Sequence, residues 1–274
     1  MYNGELYIPD CLFPTDNPLE IPCLLSDVQP QYIEIPFYCF GEQARTTNMN
    51  GRGTLHFYTD DYRFRSIYEK PEKILKYNPG SIIEPNFSLS NDTPIAFGMQ
   101  AIYKKRFLAR AMQEKGIGVF VDLNVAPKFY KLNLMGVPKG YSSFATRGCT
   151  DRLNELQFEY EIAKFVANGN RFRFIVYGGG NVIEQWCKEN NAVYVTPIII
   201  IKNKLKAFEK MKDTIGMLDV DAKAKYQELK KTLYDTQVKN FSVEDMLDNM
   251  QDFPNLLTLP ADRRRLSGHS AQGG

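Results

Sequence analysis

Residues 54–61 read T-L-H-F-Y-T-D-D. An apolar and aromatic run this short suits a buried strand, and it delivers Asp60 and Asp61 to its exit. Related runs follow at Ser81–Ile83, Ile117–Val121, Ser142–Thr146, Phe172–Tyr177 and Val193–Ile201, alternating with longer helical patterns. Strands alternating with helices are the signature of β-α repeats and a parallel sheet.

The fold class expected from this pattern is α/β, a TIM-barrel-like (β/α) repeat of about six strands, incomplete or open unless the N-terminal segment or Ile198–Ile201 supplies the rest. An open doubly wound sheet would use the same strands in another order. The spacing predicts helices around Ser66–Tyr77, from Pro94 to about Lys115, from Asp151 to Asn168, and after Gly178-Gly179-Gly180 with Asn181 as the cap.

Four regions follow from composition. Residues 1–50 hold Pro9, Pro14, Pro18, Pro22, Pro30 and Pro36 among apolar anchors, and are expected to wrap a surface. Residues 51–201 form the barrel-like body. Residues 202–259 are a Lys/Glu/Asp-rich helical appendage with Leu205, Phe208, Tyr226, Leu229 and Leu233 at helical spacing, and residues 260–274 a loose polar tail.

The net charge of +2 hides a gradient: residues 1–50 carry one base against seven acids, which leaves +8 in the remainder. The excess peaks over residues 51–110, with ten bases against six acids, far less dense than the stripe of a dedicated nucleic-acid binder. Cys11, Cys23, Cys39, Cys149 and Cys187 include no C-x-x-C pair, so no zinc or redox framework is legible. Reduced thiols, no signal peptide and no membrane span are expected, which fits the cytoplasm.

In parallel α/β folds the carboxyl ends of the strands collect ligand-binding groups. Those positions give Asp60, Asp61, Glu84, Asn86, Ser88, Asp122, Asn124, Arg147, Tyr177, Gly178 and Thr196. Asp60, Asp61 and Asp122 are the candidate acid, base or metal ligands, with Arg106 and Arg147 meeting anionic charge. Glu84, Asn86, Ser88, Asn124, Tyr177 and Gly178 are candidate substrate contacts. Such oxygens suit Mg²⁺ or Mn²⁺ in phosphate-ester chemistry, although Asp, Asn and Ser also cap helices and turns.

Arg106 falls on the apolar stripe Ile95, Met99, Ile102 and Ala109 and is expected to bend out to water on its long stem; the alternative is an inward turn to a carboxylate or phosphate. Lys104, Lys105 and Arg110 are expected to face solvent. The triple glycine matches no nucleotide fingerprint and is expected to be a steric turn. His56 and His269 are the two histidines and lie far apart in the chain, so a Ser-His-Asp triad or zinc site is not expected.

H-F-Y-T-D-D-Y-R-F (His56–Phe64), E-K-P (Glu69–Pro71), P-N-F-S (Pro85–Ser88), Y-x-x-R (Tyr103–Arg106), Q-E-K-G-I (Gln113–Ile117) and V-Y-G (Val176–Gly178) resemble, over roughly Phe40 to Pro197, a family of phages, plasmids and bacterial genomes known as a domain of unknown function. The resemblance implies a mobile-element product in a bacterial host. Replication, DNA processing and interference with the host are the roles it suggests. Two function classes stand side by side: an enzyme on a phosphorylated or nucleic-acid substrate, and a non-catalytic module binding nucleic acid, or a protein partner through the C-terminal helices.

Overall fold

The computed structural model describes residues 13–41, 48–215, 219–235 and 237–239. Its framework is one sheet in which every strand neighbours the next in sequence. The strands are β1 (Phe37–Cys39), β2 (Thr54–His56), β3 (Ser81–Ile83), β4 (Gly118–Asp122), β5 (Ser143–Arg147), β6 (Arg173–Tyr177) and β7 (Val193–Val195). These seven pair in parallel, and β8 (Val238–Lys239) closes the far edge antiparallel to β7. The order never reverses, so there is no switch point of the doubly wound kind.

The sheet is curled and open. Phe37 of β1 stacks at 6.4 Å on Tyr177 of β6, and His56 of β2 approaches that ring to 4.5 Å. These contacts span several strands, so the side chains share the concave face. On the opposite face Leu55, Ile82, Val119, Val121, Phe144, Phe174 and Val176 form the main core with helix side chains such as Leu108, Met112, Leu156 and Ile183. The period-two alternation of the strands thus separates a concave face, where Phe37, His56 and Tyr177 meet, from an outer face packed against the helices.

The strand count corrects the expected six to seven. The extra strand, β1, comes from the proline-rich segment, where three residues between Pro36 and Gly41 give too short a run to stand out. The run Val193–Ile201 is not one strand: β7 ends before Thr196-Pro197, and Ile198 begins α6 (Ile198–Ile215). Its tetra-isoleucine start puts Ile198 and Ile201, with Leu205, against Tyr226, Leu229 and Leu233 of α7 (Asp219–Asp235). The expected helix over Ser66–Tyr77 shrinks to α1 (Glu72–Leu75).

The other helices are α2 (Ile95–Gln113), α3 (Tyr130–Asn133), α4 (Leu153–Ala167) and α5 (Gly180–Glu189). Gly179, at φ +98°, is the residue that precedes α5; Asn181 lies inside the helix and is not its cap. A Cβ on Gly179 would meet Ile183 at 2.5 Å, and one on Gly148 would meet the Gly178 carbonyl at 2.3 Å. The glycines there permit close packing between neighbouring strand exits. Among the described residues no helix is long and apolar enough to cross a membrane. The expected continuation of the helical appendage at Met246, Leu247 and Met250, and the tail 260–274, lie outside the described residues.

Candidate functional site

Four ionic side chains are buried beneath the exits of β3 and β4. Glu84 follows β3, Asp122 ends β4, and Lys105 and Arg106 reach them from α2. Arg106 Nε lies 2.9 Å from Glu84 Oε1, and Lys105 Nζ lies 3.3 Å from Asp122 Oδ2 and 3.9 Å from Glu84 Oε2. Arg106 N–H at Nε is not aimed along its contact, so charge rather than a linear hydrogen bond holds that pair. Two cations balance two carboxylates, the condition under which such groups tolerate burial.

The sequence expectation for α2 is therefore corrected. Arg106 does not bend out to water; it is wholly buried and donates from Nη2 to the Asn133 carbonyl at 2.7 Å. Lys105 is buried too, donating to the Asp122 carbonyl at 2.8 Å, and buried Arg110 donates to Cys23 O at 2.8 Å. The stems of Lys105 and Arg106 follow the apolar face inward because Glu84 and Asp122 stand fixed at the strand ends, whereas Arg110 pairs with Glu114 at 2.6 Å.

Asp122 is saturated. Its Oδ1 accepts from Tyr58 Oη at 3.0 Å, and its Oδ2 from Asn86 Nδ2 at 2.9 Å. Burial and the adjoining Asp122 carboxylate hold the Tyr58 phenol well above its ordinary pKa. Asp61 accepts from Ser88 N and Oγ at 3.0 and 2.9 Å, tying the turn after β2 to the loop after β3. Asp60 is exposed, 3.6 Å from Arg63. Among the described residues no three of His, Cys, Asp and Glu are grouped so as to hold a metal ion, and Asp60, Asp61 and Asp122 form no such group.

From Asp122 a chain of hydrogen bonds runs to the surface. Asn124 donates from Nδ2 to Asn86 Oδ1 at 3.2 Å, and Arg152 donates from Nη1 to Asn124 Oδ1 at 2.8 Å. Arg152 Nη2 also lies 3.5 Å from Glu159 Oε1. Glu159, buried on the inner face of α4, accepts from Thr146 Oγ1 at 2.5 Å and Tyr130 Oη at 3.3 Å. Burial pushes its carboxyl up to about 8.

Above this network lies an open cleft of about 430 Å³, lined by Asn86, Ser88, Asn124, Arg147, Arg152 and Glu155, with Leu89, Val125 and Pro127 on its apolar side. Asn86, Ser88, Asn124 and Arg147 were expected from strand-end position alone, and they meet here. Glu84, Asp122 and Arg106 stand beneath the cleft and do not line it; Asp60 and Asp61 belong to the turn beside it. Tyr177 and Gly178 serve the interior stack and the α5 turn, with Pro197 2.9 Å from the Cβ position of Gly178.

Arg152, Glu155 and Glu159 escape the strand-end reading because they lie in the turn and helix that follow the β5 exit. Arg152 is the residue before α4, and Glu155 and Glu159 follow four residues apart on one face of that helix; this spacing is the signal that could have found the two carboxylates. His56 is buried between Phe37, Tyr58 and Tyr177, and burial lowers its pKa to about 3, so it is a neutral interior ring at physiological pH.

The chain is 30% identical over 133 residues to the Gene 1 protein of Mycobacterium phage D29, an alignment covering 47% of this chain and 48% of that protein. It is 27% identical over 174 residues to the Gene 1 protein of Mycobacterium phage L5, covering 61% of this chain and 74% of the relative. The chain thus spans about half the length of the D29 protein it matches. No solved structure matches it. A family model described as "Domain of unknown function (DUF4417)" matches residues 13–193, two thirds of the sequence including β1 to β6 and the cleft, and the chain belongs to that family.

Proposed function

We propose that this is a mobile-element protein whose strand-end cleft binds a phosphate-bearing ligand, with Arg147 and Arg152 as the anion contacts. The observation that carries the proposal is the state of Arg147. It ends β5 and lines the cleft, yet its guanidinium makes no hydrogen bond or ion pair among the described residues. An unengaged guanidinium offers five donors in a planar fork matched to phosphate or carboxylate. Arg152 beside it is already oriented by Asn124 and Glu159.

In this proposal Asn86, Ser88 and Asn124 shape the wall, while Glu84, Arg106 and Asp122 fix the floor and Asp61 holds the Ser88 loop. Preorganised donors of this kind lower the ordering cost of binding. The curled sheet then works as a TIM-barrel-like scaffold, presenting loops at the carboxyl ends of its strands. The phage relatives support a mobile-element setting, with action in the cytoplasm of a bacterial host during replication or host interference.

A catalytic version has one specific support, Glu159. Its carboxyl ionises near neutral pH behind the cleft, 3.5 Å from Arg152, so in phosphoryl chemistry it would act by setting the charge around that arginine. Mg²⁺ or Mn²⁺ would then arrive with the ligand's phosphate, as Mg²⁺ commonly does. In the non-catalytic version a nucleic acid or a protein partner would use the lysine-rich α6, with five lysines against two acids, as a second contact.

Equilibrium dialysis with labelled inorganic phosphate tests the proposal. Arg147→Ala and Arg152→Ala should each weaken binding about tenfold or more, since each removes a charge-assisted contact. Lys115→Ala, just beyond α2, should leave it unchanged. Equal phosphate binding by wild type and the Arg147/Arg152 double variant ends the proposal.

A further inference from the structure

We infer that the ligand of this cleft is a small phosphomonoester carrying adjacent hydroxyls, of ribonucleoside monophosphate size, rather than a nucleic-acid strand; this rests on the anion-binding function proposed above. Size is the first argument. About 430 Å³ falls within the range that encloses a small molecule. A strand binder needs a basic groove that follows the backbone over several nucleotides.

The lining points the same way. Proteins that hold single strands stack bases on aromatic rings, and among the described residues no aromatic side chain lines this cleft. Its non-polar side is aliphatic, with Leu89 and Val125, which can pack against a sugar or the face of one base.

The third argument is Glu155. It lines the same cleft as the two arginines, three residues beyond Arg152 on α4, and its carboxylate makes no hydrogen bond or ion pair among the described residues. A carboxylate at that place repels a second phosphate, which disfavours a phosphodiester chain. It also accepts from two neighbouring hydroxyls at once, as a carboxylate does from any paired donors. The cleft therefore combines guanidinium donors for one phosphate, an acceptor for hydroxyls and an aliphatic side.

Titration calorimetry of the full chain with four probes tests the inference: inorganic phosphate, adenosine 5′-monophosphate, its 2′,3′-dideoxy analogue and a single-stranded oligonucleotide. Adenosine 5′-monophosphate should bind about tenfold tighter than phosphate and than the dideoxy analogue, the scale of hydrogen bonds to a charged group. Glu155→Gln should remove most of the difference between the two nucleotides, and it should not weaken phosphate binding because it takes a negative charge out of the cleft. The comparison of the two nucleotides on the wild-type chain stands even if the variant folds poorly.

Equal binding of the two nucleotides, or an oligonucleotide that binds tighter with a steep salt dependence, overturns the inference. If phosphate binds through Arg147 and the nucleotides gain nothing over it, the inference alone fails. If no phosphorylated probe binds at all, the anion-binding function fails with it.

Discussion

Arg106 places its Nε 2.9 Å from the Glu84 carboxylate, and both side chains are completely buried. With Lys105 and Asp122 they make a neutral set under the strand exits. Breaking one member strands its partner's charge in the core. Arg106→Leu is expected to cost about 3–5 kcal/mol in denaturant unfolding, and Glu84→Leu a similar amount. The double variant should cost less than the two losses combined, because no charge is then left unpaired.

Asp122 gives a second prediction, since it is tied to Tyr58, Asn86 and Lys105 at once. Asp122→Ala should lower stability by several kcal/mol and weaken phosphate binding through a displaced Asn86, whereas Tyr58→Phe removes one hydrogen bond and should cost about 1–2 kcal/mol. Urea midpoints for the two variants check the ranking.

Stability against pH follows from two buried groups of opposite sign. Glu159 has a folded value of about 8 against an ordinary 4.5, so the folded state holds its proton and stability falls as pH rises from 4.5 to 8. His56 has a folded value of about 3 against 6.5, so the unfolded state binds the extra proton and stability falls as pH drops from 6.5 to 3. Between 4.5 and 6.5 the two slopes oppose each other, and their joint contribution should be nearly flat. Denaturant midpoints at half-unit steps should show this, and Glu159→Gln should remove the decline between pH 6.5 and 8.

Gly148 and Gly180 separate close packing from backbone preference. A Cβ on Gly148 meets the Gly178 carbonyl at 2.3 Å, and main chain cannot step aside as a side-chain tip can. Gly180 has φ +78° but nothing within 4 Å of its Cβ position. Gly148→Ala is expected to cost about 2–3 kcal/mol or more, and Gly180→Ala about 1–2 kcal/mol from the left-handed backbone alone. Thermal melts of the two variants check the order.

Much of the scaffold was legible in the sequence because buried parallel strands read as apolar runs: Ile117–Val121 differs from β4 by one residue at each end, and Phe172–Tyr177 contains β6. Strand-end position also led to Asn86, Ser88, Asn124 and Arg147, which line one cleft. Strand β1 is open in the sequence only as a further strand from the N-terminal segment, without a position, because three residues carry no periodicity. The inward turn of Lys105 and Arg106 was lost for another reason. A helical stripe shows which face packs, but not that Glu84 and Asp122 stand opposite it, and long cationic stems suit either solution. Arg106 on the apolar stripe was the visible trace of the buried set.

Arg147 and Arg152 are proposed to make one anion site at the carboxyl ends of the strands. Its most direct measurement is a titration of the isotope-labelled protein with inorganic phosphate, following the guanidinium Nε–H resonances and assigning Arg147 by its loss in Arg147→Lys. The account predicts saturable shifts of Arg147 and Arg152 with a shared dissociation constant, while Arg63 on the neighbouring turn stays put. Unmoved Arg147 and Arg152 resonances, or shifts that grow without saturating across arginines all over the surface, would contradict it.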